Sequence, residues 1–369
     1  MFQVARVAAV SSAAITFLLA TSTAQAHHAG GIGNAQGAGP INTISASTLE
    51  QGHSVAGFTV DHTSFDTLSD AELLAAAAAD IEDVHGLDTI QSFGLSFSYG
   101  VTNDLMLTVR LPYVRRTGIR EVPHAHEEHE DGEVHIEHEE EAVEVENIGS
   151  TSGIGDLSLL GQYRFLNDHA ARTEAALLFG LKTPTGKTDE RHGDEVLEAE
   201  FQPGSGSWDP LFGLALTHRM GPWSFDSSVL YTLVTEGTQG TDLGDLFLYN
   251  AALSYRLTSL GGVAPMFHGA HSHEVGDDGH AHSHAEEGGH GAALDLVLEL
   301  NGEWHGKQET ASVEDENSGG NTIYVSPGLR LSIEQWSGFV SVGVPVVKDL
   351  NGIQAEPDWR VSTGASLAF

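Results

Sequence analysis

The chain has 369 residues, no cysteine, 43 glycines and a formal charge of −36. So large an acidic excess argues against nucleic acid or an anionic lipid surface as partner. No stretch beyond the N-terminus approaches the roughly 18 uninterrupted apolar residues of a spanning helix, which excludes a helical membrane protein.

Residues 1–26 read as a secretory signal, with Arg6 near the start, an apolar run over 13–20 and Ala24-Gln25-Ala26 as cleavage site. The protein is therefore expected to be exported, and an exported chain without cysteine needs no disulfides. Residues 27–50 are rich in Gly, Ala, Ser and Thr without periodicity, which predicts a flexible periplasmic leader. From residue 51 a period of two takes over. Ala56, Phe58 and Val60 open it, and Phe93, Leu95, Phe97 and Tyr99 follow. A tight turn at Thr102-Asn103-Asp104 leads into Leu105, Leu107, Val109, Leu111 and Tyr113. Between the first two strands, residues 71–84 have helical composition behind Ser69-Asp70-Ala71-Glu72, a capping-box pattern.

The alternation continues through Leu157 to Phe165, Leu177 to Leu181, Phe212 to Leu216, Trp223 to Leu233 and Phe247 to Tyr255. It resumes in Leu294 to Leu300, Ile323 to Ile333 and Val340 to Val346. The final stretch places Trp359, Val361, Thr363, Ala365, Leu367 and Phe369 on one face, opposite Arg360, Ser362 and Ser366. About twelve such segments, each near the 9–11 residues that cross a bilayer when tilted, predict an all-β transmembrane antiparallel barrel over 51–369. Its place is the outer membrane of a Gram-negative-type bacterium, with both termini periplasmic. Its partners are outer-membrane lipid and, through the C-terminal strand, the assembly machinery. Aromatics at strand ends (Tyr99, Tyr113, Trp223, Tyr231, Trp304, Trp359) are placed as interfacial girdles require.

Two loops, 116–152 and 260–292, interrupt the pattern with histidine. The first carries His124, His126, His129, His135 and His138 among twelve acidic residues, and the second carries His268, His271, His273, His280, His282, His284 and His290. Imidazole and carboxylate together suit Zn, Cu, Ni or Co, although such flexible tracts define no fixed four-ligand set. Counting strands places the first loop outside and the second at the periplasmic end. No cofactor is required by this reading.

Five motifs carry a family resemblance: Gly39-Pro40-Ile41-Asn42-Thr43-Ile44-Ser45; Gly153-Ile154-Gly155-Asp156-Leu157 running into Gly161-Gln162-Tyr163-Arg164-Phe165; Gly180-Leu181-Lys182-Thr183-Pro184-Thr185-Gly186; Ser326-Pro327-Gly328-Leu329-Arg330; and Glu356-Pro357-Asp358-Trp359-Arg360. Together they resemble the outer-membrane transporter-like family named after the meta-pathway of phenol degradation. The resemblance implies an outer-membrane β-barrel that passes small molecules, and it supplies no catalytic residues.

On the polar parity, Arg110, Arg164, Lys182, Arg256, Arg330 and Arg360 balance Asp156, Asp226, Asp295, Glu299, Glu303 and Glu334. The expected lumen is mixed in charge and salt-bridged, with no one-signed filter. Gly186-Lys187-Thr188 lacks the upstream glycine of a phosphate loop, and no G-x-S-x-G elbow occurs. We therefore expect no enzyme. The expectation is a channel for divalent transition-metal cations bound by its histidine loops. The alternatives are a channel for small apolar or aromatic compounds, and a surface metal sink without transport.

Overall fold

The computed structural model describes residues 38–81, 83–122, 144–260 and 292–369. The expected signal, residues 27–37 of the leader and all twelve loop histidines lie outside the described residues.

Twelve antiparallel strands form one closed barrel. They are β1 (Ser54–Asp66), β2 (Thr89–Thr102), β3 (Leu105–Glu121), β4 in two segments (Glu146–Ile154 and Ser158–Asp168) and β5 (Thr173–Lys182). Next come β6 (Asp209–Met220), β7 (Trp223–Thr232), β8 (Leu246–Leu260) and β9 (Ala292–His305). The circuit ends with β10 (Gly320–Ile333), β11 (Trp336–Leu350) and β12 (Glu356–Ala368). Each strand pairs with its neighbour in sequence, and β1 pairs with β12 from Val55↔Ala368 to Asp66↔Glu356. Closure removes the unpaired edges that hydrocarbon does not tolerate.

The period of two has its physical reason in the wall. Leu95 on β2, Leu107 on β3, Phe179 on β5, Leu298 on β9 and Val344 on β11 all face outward and exposed. Ser98, Thr217, Asp295 and Glu299 face inward, each at most 1% exposed. A soluble monomer rarely exposes an apolar belt of that extent; facing lipid, it costs nothing. Ring pairs stand at both rims. Trp223 and Tyr255 are 4.5 Å apart at the short-turn end, and Phe212 and Tyr231 are 5.4 Å apart at the other. The barrel fold places the protein in the Gram-negative outer membrane.

Tight turns at 103–104, 169–172, 221–222 and 334–335 mark the periplasmic end, and long connections mark the outside. The first histidine-rich loop leaves the outer end, between Glu121 and Glu146, which are register partners. The second joins Leu260 to Ala292 at the short-turn end.

Between β1 and β2 lies helix α1 (Asp70–Ala77), shorter than the expected 71–84. Asp80 and Asp83 adopt left-handed φ of 53° and 55°, which stops the helix after its second turn. The capping box forms as expected between Ser69 and Glu72. Leu73 and Ala76 pack on Leu68, Val84 and Val122, with Ile353 of the β11–β12 connection alongside, so the helix belongs to the outer loop layer. Ser69→Ala is expected to cost about 1 kcal/mol locally. Hydrogen exchange at the amides of Glu72 and Leu73, faster by several-fold, would register it.

The leader departs most from expectation. Residues 39–49 are not a flexible periplasmic tether where they are described. Ile41 and Thr43 are 1% exposed and Ala46 is fully buried, because this segment runs inside the barrel.

Candidate functional site

The lumen is the candidate site, and its contents follow from the inward parity. Across its periplasmic half lies the leader, held rung by rung. The Glu299 carboxylate accepts the amides of Ile41, Asn42 and Thr43 and the side-chain amide of Asn42, at 2.7–3.0 Å. Further along, Ile44 N donates to Ser228 and Ala46 N to Thr217. Ser47 Oγ donates to Glu174, Gln162 donates to the carbonyls of Ser45 and Ser47, and Thr48 donates to the Asn103 carbonyl. A segment without side-chain periodicity is ordered because the wall satisfies its backbone. Gly328 makes room for it: a Cβ there would meet Ile41 Cδ1 at 2.5 Å. Arg330 then donates to the Pro40 carbonyl.

Most of the wall charges are paired, as expected, while Glu299 and Asp226 are held by amides and hydroxyls instead. Arg256 meets Asp295 at 2.7 Å, Arg164 and Arg219 share Glu174 at 2.8 Å each, and Arg110 lies 3.4 Å from Asp61. Arg360 pairs with Glu303 and stacks 3.9 Å over the Tyr324 ring. Lys182 is bonded to Asp209 and lies 3.7 Å from Asp156. Asp156 in turn accepts from Gly186 N, Ser205 N and Ser205 Oγ at 2.8 Å each. That knot fastens the long β5–β6 connection (183–208) into the outer half of the barrel. Two of the sequence motifs supply it.

One part of the wall is not polar. Leu178 on β5, Leu211 on β6, Leu230 on β7 and Leu246 and Leu248 on β8 face inward and pack with Ala46, against which Ile44 also lies. Above them Val234 and Leu243, which follow β7 and precede β8, pack with Ala199 of the β5–β6 connection. Two residues on, Phe201 joins Phe65, Leu87, Ile90, Val114, Ile119, Ile148 and Leu197 in an apolar cluster at the outer mouth. Three buried apolar clusters thus succeed one another from the mouth down β5–β8 to the leader. Strict alternation concealed it. Consecutive apolar residues such as Leu177-Leu178 and Leu246-Phe247-Leu248 were the available signal for strands apolar on both faces.

Beside the mouth cluster, His85 is 5% exposed, with Phe201 edge-on at 5.0 Å. Its ring nitrogens lie 3.2 Å from Glu198 and 3.3 Å from Glu200, with Glu121 at 3.7 Å. Burial alone would favour the neutral ring, but Glu198, Glu200 and Glu121 outweigh it and raise His85 to about 10. Nothing in the sequence marked His85, a lone histidine far from both tracts. The expected metal residues, His124 to His138 and His268 to His290, lie outside the described residues. Of the histidines near strand ends, His218 is engaged with Thr173 Oγ1 at 2.9 Å and His305 is half-buried.

Comparison with known proteins agrees with this architecture. Residues 129–295 match the family model described as "Putative MetA-pathway of phenol degradation". The COG4313 outer membrane channel from Pseudomonas putida F1 is similar over 88% of this chain and 98% of its own, at 13% identity and a TM-score of 0.50. LpxR from Salmonella typhimurium is similar over 85% and 99%, at 12% identity and a TM-score of 0.38. The CymD monoaromatic hydrocarbon channel is similar over 91% and 98%, at 9% identity and a TM-score of 0.37. No curated protein matches the chain. The chain is an outer-membrane β-barrel, and its resemblance to the family described as putative MetA-pathway of phenol degradation is shown over residues 129–295.

Proposed function

We propose that the barrel is a channel for small apolar or aromatic compounds. The observation that carries this reading is the succession of apolar clusters from Phe201 at the mouth, through Ala199, Val234 and Leu243, to Leu211, Leu230 and Leu248 beside the leader. A solute of that class exchanges water for apolar side chains along the way, at about 25 cal/mol per Å² buried. A hydrated divalent cation gains nothing there, and the wall carboxylates that would attract it are paired with Arg or Lys or, in Glu299 and Asp226, saturated by amide and hydroxyl donors. The expectation of a transition-metal channel is therefore not supported, and the apolar alternative replaces it. The aromatic class in the matched family's description agrees with the choice.

The test is uptake of radiolabelled toluene by cells carrying the protein, against cells without it. Faster entry is expected, falling roughly tenfold in Leu230→Asp, since the lost apolar contact is worth about 1.5–3 kcal/mol. Toluene entry no faster than in cells without the barrel would overturn the reading, as would undiminished entry in a folded Leu230→Asp variant.

A further inference from the structure

We propose that the outer mouth holds a divalent transition-metal ion, zinc-like in its preference, on His85, Glu198 and Glu200, with Glu121 as a neighbouring carboxylate. This site is independent of which solute the lumen passes and of the two histidine-rich loops. One donor atom from each of His85, Glu198 and Glu200 already lies within 4.8 Å of the others. Ligands about 2.1 Å from one tetrahedral ion stand roughly 3.4 Å apart, so the cluster closes on an ion by a shift of about 1 Å. The separations of 3.2 Å from Nε2 to Glu198 and 3.3 Å from Nδ1 to Glu200 are each at that spacing on their own edge of the ring, so one of the two carboxylates supplies the shift. Whichever ring nitrogen ligates, the other faces a carboxylate, the partner that metal-bound histidines ordinarily have.

Two further observations point to a missing positive charge. His85 Nδ1 is buried and has no hydrogen-bond partner, although Glu200 is near. Asp315, 9% exposed, has a buried Oδ2 with no partner and lies within charge range of Glu200, Asp83 and His85. Around the ring, then, stand Glu121, Glu198, Glu200, Asp83 and Asp315, opposed by His85 itself and by Arg116, which feels the charge of Glu200. Glu200 and Asp315 are buried and Glu121 is half-buried, and carboxylates in such excess beside one ring call for a cation. One imidazole with carboxylate oxygens is a donor set for zinc and its borderline neighbours rather than for calcium. The elements are also placed for it: a short turn of helix, Ala199–Phe201, sets Glu198 against Nε2 and Glu200 against Nδ1, and the end of β3 brings Glu121.

The experiment uses the full-length chain in detergent with the twelve loop histidines changed to glutamine, so that loop-bound metal does not mask the site. Zinc affinity is measured by competition with a chromophoric chelator, and folding by the heat-dependent shift in electrophoretic mobility. One zinc per chain is expected, weakened at least tenfold by His85→Gln and by Glu198→Gln. X-ray absorption should show one imidazole in the zinc shell, lost in His85→Gln. Glu198 is half-exposed, so its variant carries the test if His85→Gln does not fold. No zinc retained by the loop-substituted chain, or an affinity unchanged in both variants, would overturn the proposal and leave His85 as the hub of an ion-pair cluster only.

Discussion

Glu299→Ala is expected to raise the conductance of the purified barrel in planar bilayers several-fold. The carboxylate gathers the amides of Ile41, Asn42 and Thr43 and the Asn42 side chain, and is itself fully buried. Alanine leaves four donors without their acceptor, each worth about 1–3 kcal/mol where water does not replace it. Even after generous replacement by lumen water, 1.4–3 kcal/mol should be lost, a factor of roughly 10–100 in leader occupancy. Glu299→Gln keeps one acceptor oxygen and should fall between the two. Unchanged conductance in both variants, with undiminished exchange protection at residues 41–43, would show that the leader is held elsewhere.

The second large effect concerns stability. Lys182→Met should lower the unfolding midpoint in urea substantially, by about 3–5 kcal/mol, because it removes one partner of a buried charged knot. Lys182 is 3% exposed and Asp209 is not exposed at all, with Asp156 on the other side. The variant strands two carboxylates close together. The double change Lys182→Met with Asp209→Leu should recover much of the loss, since an apolar pair of similar volume replaces an ion pair at little cost. Equal destabilisation in the single and double variants would mean that Lys182 acts through Ser205, to which it also donates, rather than through Asp209.

Most of the fold was legible in the sequence because hydrocarbon imposes a rule on every second residue. Leu95, Leu107, Leu298 and Val344 had to face lipid, and twelve strands followed from counting such runs. The capping box at Ser69 was legible for an equally local reason. The leader was not. Gly39 to Ser45 carry no periodicity, and their order comes from Glu299, 256–258 residues away. The family-like motifs nonetheless marked the right places. Residues 39–45 are the leader itself, Gly328 and Arg330 accommodate and bond it, and Asp156 and Lys182 tie down the β5–β6 connection. These motifs encode interior anchorage, which spacing alone does not reveal. His85 was illegible because its three glutamates arrive from two distant segments.

The break in β4 has a consequence for where hydrocarbon ends. Between Ile154 and Ser158 the strand leaves the ladder, and Pro112 opposite has no amide to offer; a single bond from Gly155 N to the Pro112 carbonyl bridges the gap. The other backbone groups at the break are taken up by residues 183–187, and the exposed Tyr113 and Trp208 stand at this level, where an interfacial girdle belongs, so the outer leaflet ends near it. Beyond that line β3 continues to Glu121, a further eight or so residues and roughly 20 Å of height once tilt is allowed for. The wall is therefore a cylinder with one tall lip, and His85 is enclosed at the level of that lip rather than at the depth of the fatty acids.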